Sequence, residues 1–175
     1  NWQRSPEEVD FLMYLFEDSI IKQCKELKEN GVRVRFIGKI DELRPALREK
    51  IKWIEEETKE QNGLILNVAA NYGGRKEIID AVSKIAEDIE KGNISKSDIN
   101  ETLFEKYLYT SSLPDPDLLI RTSGELRISN YLLWQIAYSE IWVTETFWPD
   151  FTIPEFLQAI YDFQNRDRKF GKVEE

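Results

Sequence analysis

Apolar residues open the chain at helical intervals: Val9, Met13, Phe16, Ile20, Cys24 and Leu27 recur three or four positions apart. Ser5, Pro6 and Glu8 form the pattern of a capping box with proline at the first helical position, and Asn30-Gly31 supplies a stop. The period then drops to two. Val32 to Ile37 alternates around Arg33 and Arg35 and ends at Gly38, which predicts a strand. Leu43, Leu47, Ile51 and Ile54 predict a second helix running to about Glu60. After Asn62-Gly63 the stretch Leu64 to Ala70 is almost continuously apolar, as in a buried parallel strand. Beyond Asn71-Tyr72-Gly73-Gly74-Arg75, Ile78, Val82, Ile85 and Ile89 mark a third helix, and a shorter one is expected from Glu101 to about Tyr109.

Pro114 and Pro116 punctuate a loop before a strand over Asp117–Arg121. A short helical stretch is expected around Tyr131–Ala137, a last strand over Glu140–Thr144, and a helix capped by Thr152 and Glu155 with Phe156, Ile160 and Phe163 on one face. Strands alternating with helices predict an α/β fold: one domain over residues 1–175, with a mostly parallel central sheet covered by helices on both sides. The helix signal starts almost at Asn1, which is not an initiator, so residues upstream are expected.

Charge and composition narrow the chemistry. The net charge of −9 argues against nucleic acid as the main partner, because duplex binding needs a clustered basic face. No apolar stretch reaches the length of a membrane span, and no signal-peptide pattern opens the chain. The single cysteine, Cys24, cannot form an intrachain disulfide and sits at helical spacing among core residues, so a cytoplasmic setting is the expectation. With no histidine in the chain, imidazole bases, Ser-His-Asp triads and His-based zinc sites are excluded. Carboxylates, arginines, hydroxyls, backbone amides and oxygen-bound metals remain.

In open parallel sheets, ligands gather beyond the carboxyl ends of strands. Two unusual stretches fall there. NYGGR places glycines at a helix start, where backbone N–H groups suit an anion, although taken by itself the glycine pair is better read as a tight strand-to-helix turn. Residues 118–130, LLIRTSGELRISN, set Arg121, Gly124, Arg127 and Ser129 where a strand ends. Arginine forks match phosphate oxygens, Gly124 permits close backbone approach, and Ser129 falls where a helix is expected to begin. The same arginines would serve equally as ion-pair partners of Glu125 and Glu140. Glu140 is a lone carboxylate; beside a diphosphate it would suit Mg²⁺, which takes one or two carboxylates plus substrate oxygens.

The segments NWQRSPEEVDFLM, NGVRVRFIG, GLILNVAANYGGRKEIIDAV, LPDPDLLIRTSGELRISNYLLWQIAYSE, FWPDF and NRDRKFG together resemble the cis-prenyltransferases, most closely the bacterial undecaprenyl diphosphate synthases. The resemblance runs the length of the chain. It implies condensation of isopentenyl diphosphate with an allylic diphosphate, farnesyl diphosphate or similar, into a long cis-polyprenyl diphosphate, the carrier lipid of cell-wall synthesis. It implies further that Arg121, Arg127 and Ser129 hold isopentenyl diphosphate with Ile128 between them, and that Glu140 is a Mg²⁺ ligand. Asn1 belongs to the catalytic motif as a positioner, with Trp2 and Arg4 contacting substrate.

A homodimer is implied through the C-terminal half, with Trp134, Tyr138 and Trp142 as anchors, along with transient contact with a membrane surface for product release. Leu64, Leu66 and the first helix are candidate walls of an apolar product tunnel, or ordinary core. The family's Asp-Gly-Asn-Gly-Arg loop has no counterpart in these residues, so the chain alone is expected to bind diphosphate without elongating it. The family's C-terminal Arg-x-Gly element reads Lys169-Phe170-Gly171, with Arg168 just before it. A non-catalytic partner subunit of a prenyltransferase complex is the alternative reading.

Overall fold

A computed structural model describes residues 5–167. Asn1, Trp2, Arg4 and the Arg168–Gly171 element lie outside the described residues. The chain divides into two compact units, up to Tyr72 and from Gly73 onward.

In the first unit, helix α1 spans Pro6–Glu29. Ser5 Oγ accepts the Glu8 N–H at 3.3 Å, the forward half of the expected capping box. Strand β1 (Arg33–Ile37) leads through a 3-10 turn at Ile40–Glu42 into helix α2 (Pro45–Thr58). Strand β2 (Ile65–Ala69) then pairs parallel to β1, with Arg33 opposite Ile65 and Ile37 opposite Ala69. A parallel pair needs a long crossover, and α2 provides it.

The core of this unit is Leu47, Ile51 and Ile54 of α2, at most 1% exposed, packed with Ile20 and Cys24 of α1 and Val34 of β1. Cys24 is thus a packed small side chain, and burial pushes its thiol pKa up. The outer edge of β1 is closed by α2 side chains: Val34 N–H donates to Thr58 Oγ1 at 3.0 Å and Phe36 N–H to Glu55 Oε1 at 2.9 Å. A buried strand edge with unpaired amides would be costly, so these two bonds do structural work that sequence pattern does not announce.

Strand β2 departs from expectation. Its apolar run predicts burial, yet Leu64, Ile65 and Leu66 are 68%, 42% and 37% exposed. The reason is local: α1 and α2 pack over β1, and among the described residues β2 hydrogen-bonds to β1 alone.

In the second unit, helix α3 (Gly74–Glu90) starts at the glycine pair, and α4 (Glu101–Glu105) is shorter than the spacing predicts. Strands β3 (Leu118–Arg121) and β4 (Glu140–Val143) pair parallel, Leu118 opposite Glu140 and Arg121 opposite Val143. Helix α5 (Ile153–Gln164) opens on the predicted capping box of Thr152 and Glu155. Both strand pairings are parallel, as the α/β reading requires.

The helical stretch expected at Tyr131–Ala137 is a series of turns instead. Ser129, Asn130 and Leu132 have φ of 48°, 62° and 44°. Left-handed residues so close together prevent a right-handed helix from starting at Ser129.

Candidate functional site

The site grows from the end of β3. Arg121 closes the strand, and the chain then turns through Ser123 and Gly124, both left-handed. Ser123 N–H donates to Thr146 O at 2.9 Å and Gly124 N–H to Thr144 O at 2.8 Å, so the exit of β4 fixes the exit of β3. Gly124 suits this turn because its φ is +66°, a left-handed value that favours glycine.

Just beyond this turn is a pocket of about 130 Å³. Leu119, Ile128, Ile141 and Val143 supply apolar walls, and Arg121 and Arg127 the cations. The Arg121 Nε is buried and has no hydrogen-bond partner among the described residues. An N–H of a guanidinium buried without an acceptor is costly, and the cost is recovered when an anion meets it. Arg127 pairs with Glu125, but its side chain is 61% exposed, so the pair is weak. The ion-pair reading left open by the sequence therefore holds for Arg127 and not for Arg121 Nε.

The pocket brings together Arg121, Arg127 and Ile128. Ser129 is exposed and does not line it. Glu140 is at the opposite end of the strand pair. Three residues of parallel strand separate its register position from that of Arg121, roughly 10 Å at about 3.3 Å per residue. Its Oε2 accepts from Arg166 Nη1 at 2.8 Å, and the same nitrogen donates to Ile141 O at 3.0 Å.

The glycine pair of NYGGR makes the turn into α3, as its tight-turn reading expects. The first amides of the helix are already engaged: Gly74 N–H donates to Asn130 O at 2.7 Å and Arg75 N–H to Asn130 Oδ1 at 2.9 Å. An asparagine of the chain itself thus stands where an anion would otherwise sit.

Three residues escaped the sequence reading: Asn130, Glu77 and Gln135. Glu77 is 1% exposed and Gln135 2%. Gln135 Nε2 donates to both Glu77 oxygens, at 3.2 and 3.1 Å, and to Thr110 Oγ1 at 2.9 Å. Glu77 also accepts the Tyr109 N–H at 2.8 Å. Periodicity treats a glutamate in the first turn of a helix as surface; the one available signal was a polar Gln135 set between Trp134 and Ile136.

The aromatics considered as dimer anchors divide. Trp134 packs on Phe104 with ring centroids 4.5 Å apart, and Trp142 Nε1 donates to Asp162 at 2.8 Å. Tyr138 is 75% exposed.

Residues 1–171 match the prenyltransferase family model described as "Putative undecaprenyl diphosphate synthase". The chain belongs to this family. It is 54% identical over 173 residues to the isoprenyl transferase of Bacillus anthracis, covering 99% of this chain and 67% of that protein. It is 49% identical over 174 residues to the tritrans,polycis-undecaprenyl-diphosphate synthase (geranylgeranyl-diphosphate specific) of Thermoplasma volcanium, covering 98% of this chain and 67% of that one.

Among solved structures, lavandulyl diphosphate synthase from Lavandula x intermedia, in complex with dimethylallyl diphosphate, superposes with a TM-score of 0.95. The two are 37% identical, over 98% of this chain and 75% of that one. A probable undecaprenyl diphosphate synthase from Campylobacter jejuni gives 0.86 at 37% identity, over 98% and 78%. Family membership thus rests on the whole run of sequence, and the pocket at the end of β3 is the family chain's most chemically distinctive feature.

Proposed function

We propose that the protein is a cis-prenyltransferase that elongates an allylic diphosphate with isopentenyl diphosphate, and that the pocket at the end of β3 takes the isopentenyl diphosphate. The observation that carries this reading is the buried Nε of Arg121, without a hydrogen-bond partner among the described residues, beside Arg127 at a strand exit. In the reaction the allylic C–O bond breaks and diphosphate leaves with the bonding pair. The isopentenyl double bond attacks the cationic carbon, and loss of a proton restores an alkene. Arg121 and Arg127 would hold the attacking partner by its diphosphate, leaving its alkene end free to reach the allylic carbon. Ser129 and Ile128 are assigned to the same substrate, Ile128 as an apolar wall, while Asn1, Trp2 and Arg4 are assigned to positioning around the reacting carbons.

Mg²⁺ is the implied ion, and Glu140 the carboxylate assigned to it. The described arrangement does not fit that role as it stands. Arg166 neutralises the carboxylate, and Arg121 lies three register positions away from it.

The growing chain needs an apolar wall. Leu64 and Leu66, with Phe11, Leu15 and Ile21 on α1, offer exposed apolar surface in the first unit. Covering it with product would contribute about 0.8 kcal/mol per methylene. The homodimer, with Tyr138 as an exposed anchor, and a cytoplasmic location with transient contact at the inner membrane face belong to the same proposal. No described helix is long and apolar enough to cross a membrane.

Incorporation of radiolabelled isopentenyl diphosphate onto farnesyl diphosphate tests the reading, run on the parent protein and on Arg121→Ala. Elongation by the parent and a raised KM for isopentenyl diphosphate in the variant are expected. The same assay reads whether these 175 residues suffice for turnover. A parent protein without turnover would favour the partner-subunit alternative.

A further inference from the structure

We propose that Asn130 is a positioning residue for the diphosphate-binding loop, holding Arg127 and Ser129 by fastening their segment to the first turn of α3. The inference rests on the isopentenyl diphosphate reading above. Between β3 and β4 the chain runs through residues 122–139 without helix or strand, so few backbone ladders restrain it. What restrains it is a small set of named bonds.

Asn130 supplies two of them: its carbonyl takes the Gly74 N–H at 2.7 Å and its side-chain oxygen the Arg75 N–H at 2.9 Å. The helix needs acceptors for its first amides and the loop needs an anchor, and one residue answers both needs. The left-handed φ of 62° that this demands is one asparagine tolerates better than most residues.

The glycine pair makes the contact fit. An added Cβ on Gly74 would lie 3.0 Å from Leu133 N and 3.2 Å from Asn130 O, both backbone atoms. Five residues on, buried Gln135 gives a second anchor, through Glu77 on that same first turn. Arg127 and Ser129 therefore sit immediately before a segment fixed at two points. Holding the loop before substrate arrives spares the entropy of ordering it at binding, which acts on affinity for this one substrate.

The test is steady-state elongation with each substrate varied in turn, on Asn130→Ala, Asn130→Asp, Gly74→Ala and a control, Asn100→Ala. The control removes a comparable capping bond, Leu103 N–H to Asn100 Oδ1 at 2.9 Å, from α4. Asn130→Ala is expected to raise the KM for isopentenyl diphosphate about three- to tenfold, the range of losing one such bond, with kcat and the allylic KM within about twofold. Asn130→Asp keeps the acceptor and should restore the parent KM. Gly74→Ala should act in the same direction as Asn130→Ala. Asn100→Ala should lower the unfolding temperature without changing either KM.

An unchanged isopentenyl KM in folded Asn130→Ala and Gly74→Ala, or an equal rise in Asn100→Ala, overturns the inference. A parent protein that neither elongates nor takes up inorganic diphosphate in calorimetry overturns the functional reading, and the inference with it.

Discussion

Replacing Glu17 with glutamine should loosen α1 from α2, and the loss should vanish in acid. Glu17 lies on α1 at 8% exposure and accepts from Arg44 Nε at 2.6 Å and from Lys50 Nζ at 2.9 Å, both reaching across from the α2 region. Burial raises its carboxyl pKa, but the hydrogen bonds and charges of Lys50 and Arg44 outweigh burial and hold it below the usual glutamate value. Breaking a fully buried pair costs about 3–5 kcal/mol because a charge is stranded. Here the stranded partners are not fully buried: the side chains of Arg44 and Lys50 keep 41% and 32% exposure and can turn to water.

Glutamine also retains one oxygen acceptor. The expected loss at pH 7 is therefore nearer one charge-assisted bond, about 1.5–2.5 kcal/mol. A depressed carboxylate pKa contributes stability that is present above the unfolded value, about 4.3, and lost as pH falls through the folded one. Once pH has fallen below the folded value the parent carboxyl is protonated and resembles glutamine, so the two proteins should converge. Urea unfolding at pH 7 and at an acid pH below that value, followed through Trp53 on α2, reads both numbers. A loss of equal size at the two pH values would show that shape, not charge, was removed, and no loss at pH 7 would refute the ion triad itself.

Other outcomes follow from single contacts. Gly38→Ala should destabilise the first unit by at least about 2 kcal/mol in urea unfolding, because φ is +119° and the added Cβ would lie 3.0 Å from Asn71 O. Arg121→Lys should recover little of the isopentenyl affinity lost in Arg121→Ala, since an ammonium cannot present the Nε–H of the fork; competitive binding of inorganic diphosphate measures it. If Glu140 serves magnesium, Glu140→Gln should raise the Mg²⁺ concentration at half-maximal rate and Arg166→Ala should lower it. Identical titrations for parent and both variants would remove Glu140 from the ion.

The helices and strands whose signals are local were legible. Ser5 and Pro6 place the start of α1, Thr152 and Glu155 that of α5, and the alternation around Arg33 and Arg35 gives β1. Arg121 and Arg127 were legible together because one ends a strand and the other follows in the same loop, and Ile128 came from the family resemblance; Ser129, grouped with them, does not line the pocket. What was not legible depends on partners far along the chain. The turns at 131–137 look helical by periodicity, and are prevented from coiling by left-handed residues around Asn130, whose oxygens are held by α3, 55 positions away for the Arg75 bond. Glu77 reads as surface until Gln135, 58 positions on, buries it. Glu140 reads as a neighbour of the arginine loop because they are close in sequence, but parallel register sends strand starts and strand ends to opposite edges. Arg166, which holds it, comes from beyond α5.

The two arginines of the pocket are prepared for an anion in different ways, and magnitudes decide whether the difference matters. Arg121 ends a strand, with its position set by the β3–β4 ladder and its Nε already out of water, so meeting phosphate costs it little further desolvation. Arg127 is on the turn segment and exposed, and it starts with a competitor, because Glu125 holds its guanidinium. An exposed pair of this kind is worth about 0–1 kcal/mol, whereas a charge-assisted bond to a phosphate oxygen is worth about 1.5–3 kcal/mol, and a diphosphate can offer two oxygens to the fork. On the proposed reading the substrate would therefore displace Glu125 rather than be excluded by it. Until then Glu125 keeps the Arg127 charge satisfied, so the loop gains no repulsion between two cations on one small pocket. If the pocket takes isopentenyl diphosphate as proposed, Arg121 would set where the diphosphate sits and Arg127 would exchange Glu125 for it.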